Sequence, residues 1–180
     1  MKINRVNISA GSLLLTASLA LAMQARETGG DATQRMAKEV RHELVMLPYY
    51  GVFDNLEFKV NGTTVVLMGQ VTRPTLKTDA ERAVKRIESV EKVDNQIEVL
   101  PASPGDDRIR LATYRAIYGN EALSTYAVRA VPPIHIIVKN GNVTLVGAVG
   151  TEMDKNLAYM QARGVSGVFS VTNNLVVDKK

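Results

Sequence analysis

One alternating pattern occurs twice in this chain, and it constrains the fold more than any other feature. Val138-Lys139-Asn140-Gly141-Asn142-Val143-Thr144-Leu145-Val146-Gly147-Ala148-Val149 places two period-2 apolar runs around an Asn-Gly pair. That arrangement is a strong short-range signal for a β-hairpin. The same pattern stands 78 residues earlier, as Val60-Asn61-Gly62-Thr63-Thr64-Val65-Val66-Leu67-Met68-Gly69-Gln70-Val71. From the first strand onward the offset holds without a gap. Leu56, Phe58 and Val60 match Ile134, Ile136 and Val138; Ile87, Val90 and Val93 match Val165, Val168 and Val171; Asn95, Ile97 and Val99 match Asn173, Leu175 and Val177. Apolar positions fall on apolar positions with the period of a strand, which marks an internal repeat.

The rest of each copy follows from periodicity. Met36, Val40, Leu44 and Leu47 share a helical face that Pro48 ends. Pro74 suits the first turn of a second helix, with Ala80, Ala83, Val84 and Ile87 as its apolar stripe. Val93 to Val99 reads as a third alternating strand. In the second copy Asp106-Asp107 read as helix caps, and a longer connection, 119–133, is the main insertion. The expected fold class is α+β: two tandem αββαβ units, each a three-stranded mixed sheet packed on two helices.

The expected boundaries are a signal peptide at 1–22, a flexible lead-in at 23–34, a first unit at 35–100, a linker at 101–105 and a second unit at 106–178. Lys2 and Arg5, an uncharged run and Ala20-Leu21-Ala22 give the signal pattern, so the protein is expected in the periplasm, with a retained membrane anchor as the rival reading. A unit of about 70 residues has a core worth roughly 3–5 kcal/mol and normally needs a staple. Cysteine is absent, which excludes disulfides and thiolate metal sites. The two units are therefore expected to pack against each other through an interface of helices.

Few function classes survive. Tryptophan is absent and aromatics make up 5% of the chain, so a base-stacking platform is poorly supported and no nucleic-acid partner is expected. Residues 31–101 carry 10 basic and 11 acidic side chains, residues 102–180 carry 9 and 6; only the second unit is basic. His42 and His135 stand apart, without acidic or cysteine neighbours at ligand spacing, and no nucleophile elbow, phosphate loop or HExxH is present. No metal, cofactor or catalytic centre is expected. Gly69 and Gly147 are expected to be structural, serving close packing of a helix or a bulge. Asn95 and Asn173 are expected to bond a neighbouring turn or strand end.

The second helix of the second copy differs in a telling way. Thr75, Asp79 and Arg82 of the first copy become Met153, Leu157 and Met160, flanked by Lys155, Tyr159 and Arg163. An apolar ridge edged by cations suits shallow insertion among anionic lipid headgroups. The competing reading packs this ridge against the first unit or against a second copy of the protein.

The hairpin motif of the second copy, its helix, and Val165-Ser166-Gly167-Val168-Phe169-Ser170-Val171-Thr172-Asn173-Asn174-Leu175 together resemble the BON domain. The first copy departs at two points: Asn61-Gly62 sits one position early, and Glu91-Lys92 replaces the small residues before the third strand. The resemblance covers nearly all of the chain after the leader. It implies periplasmic residence, attachment to membrane or phospholipid surfaces, a role in envelope or osmotic stress, and no enzymatic activity. The lipid anchor of some members does not carry over without a cysteine. The alternative function is a soluble chaperone-like or protein-interaction module that binds envelope proteins.

Overall fold

The computed structural model describes residues 31–178. The expected signal peptide and most of the lead-in lie outside the described residues. Residues 31–45 are helical and form α1. The helix is thus under way at residue 31, where a flexible lead-in was expected; one further turn of it precedes the Met36, Val40 and Leu44 stripe, all three of which are buried. Strand β1 (Asn55–Asn61) turns back as β2 (Thr64–Val71), helix α2 (Pro74–Lys85) crosses over, and the chain returns as β3 (Lys92–Asn95) and β4 (Glu98–Val99). β1 pairs antiparallel with β2, while β3 and β4 both pair parallel with β2. The third strand expected as one run is therefore broken at Gln96-Ile97, although Gln96 N–H still donates to Leu67 C=O at 2.9 Å.

The second unit repeats this order as α3 (Pro104–Tyr118), a short 3-10 turn (Ser124–Val128), β5 (Ile134–Lys139), β6 (Asn142–Val149), α4 (Glu152–Arg163) and an unbroken β7 (Ser170–Val177). β5 pairs antiparallel and β7 parallel with β6. Each unit buries its own apolar cluster, around Val65, Leu67 and Val84 in the first and Val143, Leu145 and Ala162 in the second. The helical stripe Met36, Val40, Leu44 recurs as Ile109, Thr113, Ile117, 73 residues on. The offset of 78 at the strands places a five-residue insertion in the 119–133 connection.

Both hairpins close with two-residue turns at equivalent positions, because Asn61 pairs with Thr64 and Lys139 with Asn142. The early Asn-Gly of the first unit changes the type of turn and leaves its place alone. Asn140 and Gly141 both take positive φ, 53° and 76°, as a type I′ turn requires; Gly62 alone does so in the first, at 62°, the pattern of type II′.

The linker is shorter than expected, since α3 begins at Pro104 with Ser103 as its cap: Ser103 Oγ accepts from Asp106 N–H at 3.2 Å. Asp106 is not the cap. Its buried carboxylate instead accepts the N–H groups of Asn140 and Gly141, each at 2.9 Å, and so braces the hairpin turn from the helix.

The seam between the units also differs from expectation. It is built by the loop 50–54 of the first unit, which lies along β5 and α3. Ile136 N–H donates to Val52 C=O at 2.8 Å. Val52 and Phe53 pack against the second core, and the Phe53 ring meets Tyr114 edge-on at 6.2 Å. Lys139 and Glu98 add an ion pair at 2.5 Å, half-exposed and so of small weight. The loop supplies the outward Ile136 N–H on the edge of β5 with a partner.

Candidate functional site

Helix α4 is secured at its start by Thr151, whose Oγ1 accepts from Asp154 N–H at 3.1 Å. Asp154 does not complete a reciprocal capping box. Its carboxylate accepts the Tyr126 hydroxyl at 2.8 Å, and Tyr126 in turn accepts Gly150 N–H at 2.7 Å. The 119–133 insertion thereby pins the turn that launches α4. Ala158 and Ala162 face the core, with no exposure at all. Their small size lets the helix lie close to the sheet, and the opposite face is left to solvent.

Met153 and Met160 stand on that outer surface, 78% and 65% exposed. Leu157 is half-buried and packs against the second core, so the three residues do not form one continuous exposed ridge. Lys155 and Tyr159 are half-buried and Arg163 is exposed. Lys155 contributes its backbone as well: its carbonyl accepts the Asn173 side-chain amide at 2.9 Å.

A further exposed apolar side chain stands at the hairpin end of the unit. Phe169, 86% exposed, precedes β7 beside the hairpin turn, where its N–H donates to Gly141 C=O at 2.8 Å. The signal for it is in the repeat, because Phe169 stands 78 residues after Glu91. Three polar positions of the first unit, Thr75, Arg82 and Glu91, thus carry Met153, Met160 and Phe169 in the second.

The four motif residues take matching structural positions in both units. Gly69 and Gly147 have φ of 108° and 120°, and an added Cβ would lie 2.1 Å from Asn55 O and 1.9 Å from Pro133 O. The obstruction in both is backbone across the hairpin and not a packed helix. Asn95 on β3 and Asn173 on β7 each tie their strand to the helix 18 residues back, through the carbonyls of Lys77 and Lys155, both at 2.9 Å. Each side-chain oxygen also accepts a backbone N–H two residues on, from Ile97 and Leu175. Asn95 adds a bond to Glu81 at 3.0 Å, and bonds from Lys85 and Asn95 hold the Glu81 carboxyl below its ordinary range.

His135, at the position that matches Glu57 of the first unit, is partly buried at the seam. Tyr50 stacks on it at 5.5 Å. Burial pushes its pKa down from the ordinary imidazole value, against the pull of the nearby Asp54 and Gly51 carbonyls and the Asp54 carboxylate. The covering loop is held by Asp54, which accepts Gly51 N–H at 3.2 Å and Thr72 N–H at 2.7 Å. Burial also pushes the Tyr50 hydroxyl up to about 12. Beside this seam a groove of about 700 Å³ runs between the two sheets, lined by Glu57, Gln70, Glu98, Thr144, Asn174 and Val176 among others. Its lining offers amides and carboxylates but no aromatic ring. Among the described residues, no group of three or more His, Cys, Asp or Glu side chains is placed to hold a metal ion, and no helix is long and apolar enough to cross a membrane.

Comparison with known proteins gives a family and little else. No curated protein matches the sequence significantly. Among solved structures, CdsD, a structural protein of the type III secretion system of Chlamydia trachomatis, is similar at 14% identity and a TM-score of 0.30, over 80% of this chain and 92% of that one. The CdsD C-terminal domain is similar at 16% identity and a TM-score of 0.28, over 79% and 96%. The family model of the BON domain matches residues 33–101 and again residues 120–179. Those two segments contain the two hairpin, helix and strand cores described above, and the chain belongs to the BON-domain family with two copies in tandem.

Proposed function

We propose that this protein is a non-catalytic module that attaches to anionic membrane surfaces through α4 of its second unit, after export to the periplasm, as part of an envelope or osmotic stress response. The observation that carries the reading is the joint exposure of Met153 and Met160 on a helix edged by Lys155 and Arg163. The first unit holds Thr75 and Arg82 at the same positions, so the apolar surface is not a requirement of the fold. Unbranched methionine side chains suit disordered acyl chains, and the lysine and arginine suit phosphate headgroups.

Cosedimentation with vesicles of phosphatidylglycerol in phosphatidylcholine tests this. Binding is expected at low salt and should fall as salt rises, because surface charge is screened. Insertion of each methionine at about 1 kcal/mol makes Met153→Ser with Met160→Ser weaken binding by roughly tenfold or more. Leu157 is left intact in this variant because it packs on the core. Absence of binding to anionic vesicles at low salt sinks the proposal.

A further inference from the structure

The two units treat the outer edge of their first strand differently. In the second unit each outward residue of β5 has at least one edge group bonded. Ile134 exchanges hydrogen bonds with the Tyr118 hydroxyl, at 2.6 and 3.1 Å. Ile136 N–H reaches Val52 C=O at 2.8 Å, and Val138 C=O accepts from Arg110 Nη2 at 2.7 Å. The space between β5 and α3 is filled by Arg110, Tyr114 and Tyr118, together with Val52 and Phe53 from the first unit.

In the first unit the residues matching Arg110, Tyr114 and Tyr118 are Ala37, Arg41 and Val45. The result is an open groove of about 710 Å³ between α1 and β1, floored by Leu56, Phe58 and Val60. Among the described residues, no loop or side chain bonds the edge groups of Phe58 and Val60 that match the bonded groups of Ile136 and Val138. An unpaired strand edge beside an apolar groove is a template for an added strand.

The chain also carries the piece that would fit. Val52 has its counterpart 78 residues on at Ala130, within the segment Val128-Arg129-Ala130-Val131. Val128 is 86% exposed, and Arg129 and Ala130 are exposed beside it. We propose that this segment of one copy lies in the α1–β1 groove of a second copy and pairs with Phe58, as Val52 pairs with Ile136 inside the chain. The internal seam is thereby continued from molecule to molecule. Glu57, at the groove, offers Arg129 an opposite charge, opposed in part by Arg41. Donor and acceptor are different surfaces, so a single contact leaves one of each free, and copies join head to tail into a filament or a ring. One short added strand is a small interface, so association is weak and depends on concentration.

Sedimentation of the full chain over a concentration series should show mean mass rising past twice that of the chain. The chain has no cysteine, so engineered thiols report the contact cleanly. A mixture of Glu57→Cys and Arg129→Cys chains should cross-link on oxidation, and either variant alone should not. Filling the groove as the second unit does, with Ala37→Arg, Arg41→Tyr and Val45→Tyr, should give a monomer with an unchanged melting temperature. If that variant does not fold, the cysteine pair decides. A monomer at every concentration overturns the proposal. So does association that survives the filled groove, or equal cross-linking of each single variant. Association that appears only once residues 1–30 are removed would put the chain's own leading segment in the groove, and overturns it too.

Discussion

Asp106 accepts both backbone N–H groups of the Asn140-Gly141 turn from the first turn of a helix 34 residues upstream. Asp106→Ala leaves those donors without their partner, and should cost about 1–3 kcal/mol in urea unfolding. Gly147→Ala is expected to cost more, about 2–4 kcal/mol, because the new Cβ meets the Pro133 carbonyl while the backbone holds a φ that side chains disfavour. His135 carries the pH dependence. Its pKa in the folded chain lies below the ordinary 6.5, so on acidification the unfolded chain takes up the proton first. The stability it contributes is complete above about 6.5 and is lost as pH falls toward the folded value. Melting temperature measured from pH 7.5 to pH 5 should fall more steeply in the native chain than in His135→Gln. Nothing in the spacing around His135 hints at this, since the ring that stacks on it is Tyr50, 85 residues away.

At the scale of elements, the loop 50–54 matters to the unit it does not belong to. Phe53→Ala removes a ring that packs on the second core and meets Tyr114. It should cost about 2–3 kcal/mol, less than a fully buried ring. Hydrogen exchange should show the loss of protection concentrated in β5 and α3, with β2 and α2 little changed. A uniform loss across both units would mean that the two cores do not unfold separately. Helix α4 was legible from spacing alone: Ala158 and Ala162 are buried, and Met153 and Met160 are exposed on the far surface. Leu157 was harder, because helical spacing assigns an angle and not the width of the surface that the rest of the unit covers. Asp106 was misplaced for a related reason. Ser103 and Asp106 are both good capping types, and only the path of the chain into α3 gives the cap to Ser103.

For the molecule as a whole, duplication has a physical consequence. Two small units each bury a separate cluster, and the seam between them lends the second a backbone partner at Ile136. Local patterning set the two copies, the order of their helices and strands, the hairpins, the core-facing stripes and the polar-to-apolar exchange on α4. These are local matters, fixed by periods of 2 and 3.6 and by the backbone demands of glycine and proline. Long-range packing set that a loop joins the units, that His135 is partly buried at the seam, that Asp106 braces a distant turn, and that β5 finds edge partners in α3 and the loop 50–54. Those outcomes depend on which distant groups meet, and a side chain's periodicity carries no record of its partner across the fold.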